Sequence, residues 1–203
     1  MVNEEKDYKK QKQYWRNIIL EIQRLQILST SAMPWMASES VSYEFIIPSL
    51  IVNTTLTLKK RGKKKCTFNQ FIQQKQLGNA VVIGEAGVGK STLLSCMFLN
   101  LIERSAEDLC FFIDARNFYE YDNEDFLEFL LQGLGINKNI SYYFESKCIY
   151  IFIDGLDEVD KKTLSNIMQV IYRNRLKFRF IVACRDYVFA NHVACHKQWS
   201  GIF

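Results

Sequence analysis

Four residues near the middle of the chain have the types and spacing to hold a phosphate. Gly84, Gly89, Lys90 and Ser91 fit G-x-x-x-x-G-K-[ST] within NAVVIGEAGVGKSTLL, which runs from Asn79 to Leu94. A greasy run precedes the pattern and a helical one follows it. Glycines let the backbone turn tightly and bring successive N–H groups around phosphate oxygens. A helix beginning near Lys90 points its positive end at the same anion. The expected phosphate-binding residues are Gly84, Glu85, Ala86, Gly87, Val88, Gly89, Lys90, Ser91 and Thr92. Lys90 would reach the β- and γ-phosphates as a point charge, and the Ser91 hydroxyl would take one place on a Mg²⁺ ion.

Such a loop needs an acidic counterpart, and CIYIFIDGLDEVD supplies it. The greasy run ends in Asp154, at the carboxyl end of a buried strand, where open parallel sheets bind ligands; its carboxylate can hold Mg²⁺ through water beside Ser91. Asp157 or Glu158 would then orient an attacking water. Alone, this acidic turn reads equally well as a solvated loop; beside a phosphate loop it completes a Mg·nucleotide site. Guanine recognition is unsupported, since NKNI, residues 137–140, lacks the aspartate of N-K-x-D. His192, Cys195 and His196 have helical spacing but no fourth ligand, and are assigned no metal.

The elements that must position these groups follow from periodicity. Greasy runs AVVIG, LCFFID, CIYIFID and FRFIVAC alternate with segments of helical period. One helical stripe is Leu93, Leu94, Met97, Phe98, Leu101 and Ile102, and another is Leu164, Ile167, Met168 and Ile171. Runs apolar at nearly every position suit strands covered on both faces, so the expected fold is three-layer α/β with a mostly parallel sheet. Ahead of it, Trp15, Ile18, Ile19, Ile22 and Leu25 predict an amphipathic N-terminal helix whose apolar face needs a partner: this chain's own core, another subunit, or an effector. Residues 1–42 are expected to form that helix and a linker, and 43–203 the nucleotide-binding domain.

Composition sets the boundaries. With 203 residues, 48% of them hydrophobic and only two prolines, the chain suits one ordinary core. No apolar run reaches membrane-spanning length and no signal-peptide core follows the charged start, which points to a cytoplasmic protein. Six cysteines without a C-x-x-C pair read as reduced, mostly buried thiols. A net charge of +4 implies no global nucleic-acid field. The run KKRGKKK, residues 59–65, reads as a solvated loop beside a turn glycine, without the interleaved aromatics that single-strand binding would need.

VVIGEAGVGKSTLL together with IYIFIDGLDEV resembles the NACHT family of P-loop NTPases, in the STAND class of signal-transduction ATPases. Gly155 carries much of the likeness: the family has a small residue after the metal-binding aspartate and its acidic pair two or three positions later. YEFIIPSL, TFNQFIQQKQLG and FFIDARNF are similar to the family's lead-in and second strand, so the resemblance runs from about Tyr43 to Arg185. It implies ATP or ADP and Mg²⁺ as ligands and Arg185 as the sensor of the γ-phosphate. An arginine capping a strand end is the plainer reading of Arg185. It also implies a role in intracellular signalling, including innate immunity and antiviral defence.

Two departures stand out. Ala183 and Cys184 replace the polar pair that usually precedes the arginine. The helical lid and winged-helix segments that the resemblance implies are not found before Phe203, so the domain is expected to be incomplete and to hydrolyse slowly. A strand after Arg185 is expected only if HKQWSGIF begins one. The alternative function is a nucleotide-dependent oligomerisation scaffold that does not hydrolyse, with self-association or a protein partner engaged through the N-terminal helix.

Overall fold

The computed structural model describes residues 2–29, 55–59, 63–67, 78–104, 108–121, 125–136, 140, 144, 148–193 and 200–202. Among these, α1 (Val2–Ser29) contains neither glycine nor proline and extends through a charged lead rich in helix formers. The apolar stripe that predicted it covers only its second half. The linker expected before residue 43, and the segments resembling the family's lead-in at 43–50 and 68–77, lie outside the described residues.

Among the described residues seven strands form one sheet: β1 (Thr55–Lys59), β2 (Lys63–Thr67), β3 (Ala80–Ile83), β4 (Leu109–Asp114), β5 (Ile149–Asp154), β6 (Phe178–Cys184) and β7 (Ser200–Ile202). Their order is β2-β1-β7-β3-β6-β5-β4. The five strands from β7 to β4 run parallel, and the β1–β2 hairpin adds antiparallel to β7. Every residue of β3 and all but the last of β5 are buried, as in a sheet covered on both faces. This is the expected three-layer α/β architecture with a mostly parallel sheet, and the amphipathic helix precedes it in the chain.

The crossover helices α2 (Lys90–Arg104) and α4 (Lys161–Asn174) turn their predicted stripes to the core: Leu94, Met97 and Phe98 are buried on one, with Leu93, Leu101 and Ile102 partly so, and Leu164, Ile167, Met168 and Ile171 on the other. Between them lie a 3-10 turn (Ala115–Glu120) and α3 (Phe126–Gly133). Local capping sets the helix starts: Asp125 accepts from Leu127 N, and Asp160 from Lys162 N and Thr163 N.

β3 lies between β6 and β7, while the chain leaving β3 travels to the far edge, β4, before returning through β5 and β6. This makes the carboxyl end of β3 a topological switch point, the place where such sheets open a crevice.

One expectation changes and one conditional expectation is met. Lys59, Lys63, Lys64 and Lys65 belong to the β1–β2 hairpin rather than to a solvated loop; Lys59 pairs with Lys63, and residues 60–62 lie outside the described set. Local charge masked the flanking β pattern, and lysines suit an outermost strand because they deter pairing with another chain. A strand does follow Arg185: Ser200–Ile202 pairs with β3.

The apolar face of α1 packs on this chain's own sheet. Ile19 and Leu20 are buried, with Trp15, Ile18 and Ile22 partly so. Two buried polar side chains fix it: Arg16 Nε donates to Asp108 O at 2.9 Å, and Gln23 Nε2 donates to Cys110 O at 2.6 Å. Phe112 N in turn donates to Gln23 Oε1 at 2.5 Å. The carboxamide of Gln23 therefore pairs with edge strand β4 as a neighbouring strand would. Cys96, Cys110 and Cys184 are buried thiols; burial pushes Cys96 and Cys184 up to about 12, so they act as small apolar side chains. Cys195 and His196 lie outside the described residues. Among the described residues no helix is long and apolar enough to cross a membrane.

Candidate functional site

The loop at residues 84–89 joins the carboxyl end of β3 to the first turn of α2. Gly87 and Gly89 have φ of +76° and +90°, a left-handed backbone that L side chains rarely adopt. α2 starts at Lys90, so its unpaired N–H groups face the loop interior. The Lys90 ammonium donates to Glu85 O at 2.9 Å, folding back across the loop. Ser91 and Thr92 lie in the first turn of α2, half-buried.

The two motifs meet. The Ser91 hydroxyl hydrogen-bonds the Asp154 carboxylate, which also accepts from Gly155 N at 3.0 Å. Burial raises the Asp154 pKa, the nearby Asp114 and Glu158 add to the rise, and the bonds from Ser91 and Gly155 oppose it. Asp154 is thus a carboxylate whose burial disfavours its charge. Gly155 has a φ of +75°, which explains physically the small residue found there.

Asp157 and Glu158, equivalent candidates by sequence, separate in space. The side chain of Asp157 is 5% exposed and lies against Arg185, with Nε 2.7 Å from Oδ2, whereas that of Glu158 is 55% exposed. The contact is an ion pair without hydrogen-bond alignment, since Arg185 Nε has no hydrogen-bond partner. Glu158 N donates to Gly155 O at 2.9 Å, and the side chain folds back over that glycine.

Backbone bonds tie both motifs to the end of β6. Gly84 N donates to Cys184 O at 3.4 Å and Leu156 N to Ala183 O at 3.3 Å. Ala183 and Cys184, the residues that depart from the polar pair, are fully buried. Their carbonyls hold the site together where their side chains offer no polar group to a ligand.

Sequence reasoning missed Arg116. It lies in the 3-10 turn after β4, forks onto both oxygens of Asp114, and approaches Glu158 Oε2 to 3.9 Å with Nη1. The one available signal was its place two residues after a strand-ending aspartate.

No protein-family model and no curated protein matches this chain. Among solved structures, AMPPCP-bound DnaA from Aquifex aeolicus is similar over 62% of this chain and 38% of its own, at 18% identity and a TM-score of 0.38. A DNA replication initiation factor is similar over 58% of this chain and 34% of its own, at 16% identity and a TM-score of 0.34. The matched region thus spans little more than a third of those proteins.

Proposed function

We propose that this chain binds Mg·ATP at the carboxyl edge of its sheet and hydrolyses it slowly, with bound ATP or ADP acting as a switch in NACHT-like signalling or defence. The observation that carries the reading is the meeting of the two motifs at the topological switch point, where Gly84 N and Leu156 N donate to the adjacent carbonyls of Cys184 and Ala183 and Ser91 stands beside Asp154. The groups present fit the ion: a hydroxyl and a carboxylate are hard oxygen donors, and magnesium is commonly held by one or two such groups plus water and phosphate. Ser91 and, through water, Asp154 would hold Mg²⁺, whose contribution is to neutralise phosphate charge. Among the described residues no larger cluster of metal-ligating groups occurs, and this mode of binding requires none.

Lys90 would exchange the Glu85 carbonyl for phosphate oxygens. Glu158, open to solvent, is assigned the task of orienting water toward the γ-phosphorus. A new phosphorus–oxygen bond forms, the bond to the bridging oxygen breaks, and ADP leaves. Asp157 is buried against Arg185 and is assigned to positioning that arginine. If Arg185 senses the γ-phosphate, as the resemblance implies, it must exchange Asp157 for the nucleotide.

A non-hydrolysing scaffold that self-associates is the second reading. The Asp157–Arg185 pair favours it, because it occupies a cation that hydrolysis would recruit. Two measurements decide. Calorimetry of Lys90→Ala is expected to show ATP affinity reduced by about tenfold or more, the loss of a charge-assisted phosphate contact; unchanged affinity would reject the site. Single-turnover hydrolysis by the unaltered chain should exceed that of Glu158→Gln, and equal background rates would select the scaffold.

A further inference from the structure

We infer that Arg116 is a positioning residue that holds the Glu158 carboxylate in place for water orientation, with Asp114 as its brace. The inference rests on the hydrolytic reading above and adds a residue to it.

The brace begins in the backbone. Asp114 ends β4 directly in register with Asp154 at the end of β5, so the two carboxylates leave neighbouring strands at the same edge. Asp114 caps the following turn by accepting from Arg116 N at 2.8 Å, which fixes the arginine two residues on. The Arg116 side chain then returns to the same aspartate, with Nε 2.9 and 3.0 Å from its two oxygens and Nη2 on Oδ2. A guanidinium is planar, so a two-point grip on one edge fixes where its remaining nitrogen stands. That nitrogen, Nη1, lies 3.9 Å from Glu158 Oε2.

Glu158 needs such a hold. Its side chain is more than half exposed, and exposed glutamates sample several rotamers. The neighbouring Asp154 carboxylate opposes its charge. Its backbone places it over Gly155, within 3.5 Å of where a Cβ would stand there, next to the strand end that carries Asp154. Arg116 supplies the opposing pull: Asp114, Glu158 and Asp154 all favour its charged form. Without it, Glu158 turns away from the other two carboxylates and from the site.

The test is single-turnover ATP hydrolysis and Mg·ADP affinity for the unaltered chain, Arg116→Ala, Glu158→Gln and the double variant. Arg116→Ala should slow hydrolysis by roughly tenfold or more, with ATP half-saturation and Mg·ADP affinity within about threefold, because the lost effect acts on the reacting water. In the Glu158→Gln background the same substitution should change little, since residues acting as a unit are not additive. Asp114→Asn, which loosens the brace but keeps the cation, should slow hydrolysis less than Arg116→Ala. An Arg116→Ala rate within twofold of the unaltered chain overturns the inference, as does an equal slowing of the Glu158→Gln form. If the unaltered chain binds nucleotide without turning it over, this role falls while the binding site stands. If it binds none, the reading of the site itself falls.

Discussion

Asp154 shows how a single side chain can be poor for the empty protein and suited to its ligand. Burial and two neighbouring acids disfavour its charge, and bonds from Ser91 and Gly155 offset only part of that. An asparagine there keeps the shape and can still accept a bond, without the charge. Asp154→Asn is therefore expected to leave the nucleotide-free protein at least as resistant to heat. It should weaken nucleotide binding in Mg²⁺ by about tenfold while leaving binding in chelator nearly intact. Titrations showing the same loss with and without Mg²⁺ would refute the assignment. The placement of Asp154, Lys90 and Ser91 was legible in the sequence because it depends on near neighbours: a strand end, a glycine turn, a helix start. The Asp157–Arg185 pair and the Arg116–Glu158 approach were not. Each joins different strand ends, and residue spacing carries no record of which strand ends become neighbours.

Elements tell a similar story. Strands β3 to β6 and helices α2 and α4 could be read because burial on both faces, or on one stripe, imposes a period. The β1–β2 hairpin escaped because its lysines look like a loop, and α1 revealed its apolar face but not its destination. Besides its apolar face, α1 is seated by a polar contact: Gln23 satisfies Cys110 O and Phe112 N on β4, the outermost strand on that side among the described residues. Gln23→Ala strands both groups, and an unpaired buried polar group costs about 1–3 kcal/mol, so a loss of roughly 2–4 kcal/mol in urea unfolding is expected. Gln13, exposed and donating to Asn17 along its own helix, is the control; its alanine variant should cost under about 0.5 kcal/mol. Equal losses at the two positions would show that Gln23 does not secure the edge.

Over the whole molecule, the phosphate loop, the acidic turn and Arg185 converge on the end of β6. Gly84 and Leu156 donate to consecutive carbonyls, and Arg185 follows directly. Nucleotide binding should therefore slow amide exchange at both loops and through Leu156, with little change in the hairpin at the sheet's other end, β1 and β2. Slowing limited to residues 84–91 would show that the two motifs are not coupled through β6. The long reach of Gln23 also bears on how the protein is made. It bonds Phe112, 89 residues further along the chain. At about 5–20 residues per second, roughly 5–20 s of synthesis separate the helix from the strand that seats it. During that interval Ile19 and Leu20 have no sheet to cover. For a nascent chain, α1 is an amphipathic helix whose apolar face waits for β4, and the contribution of Gln23 begins only once that strand has emerged.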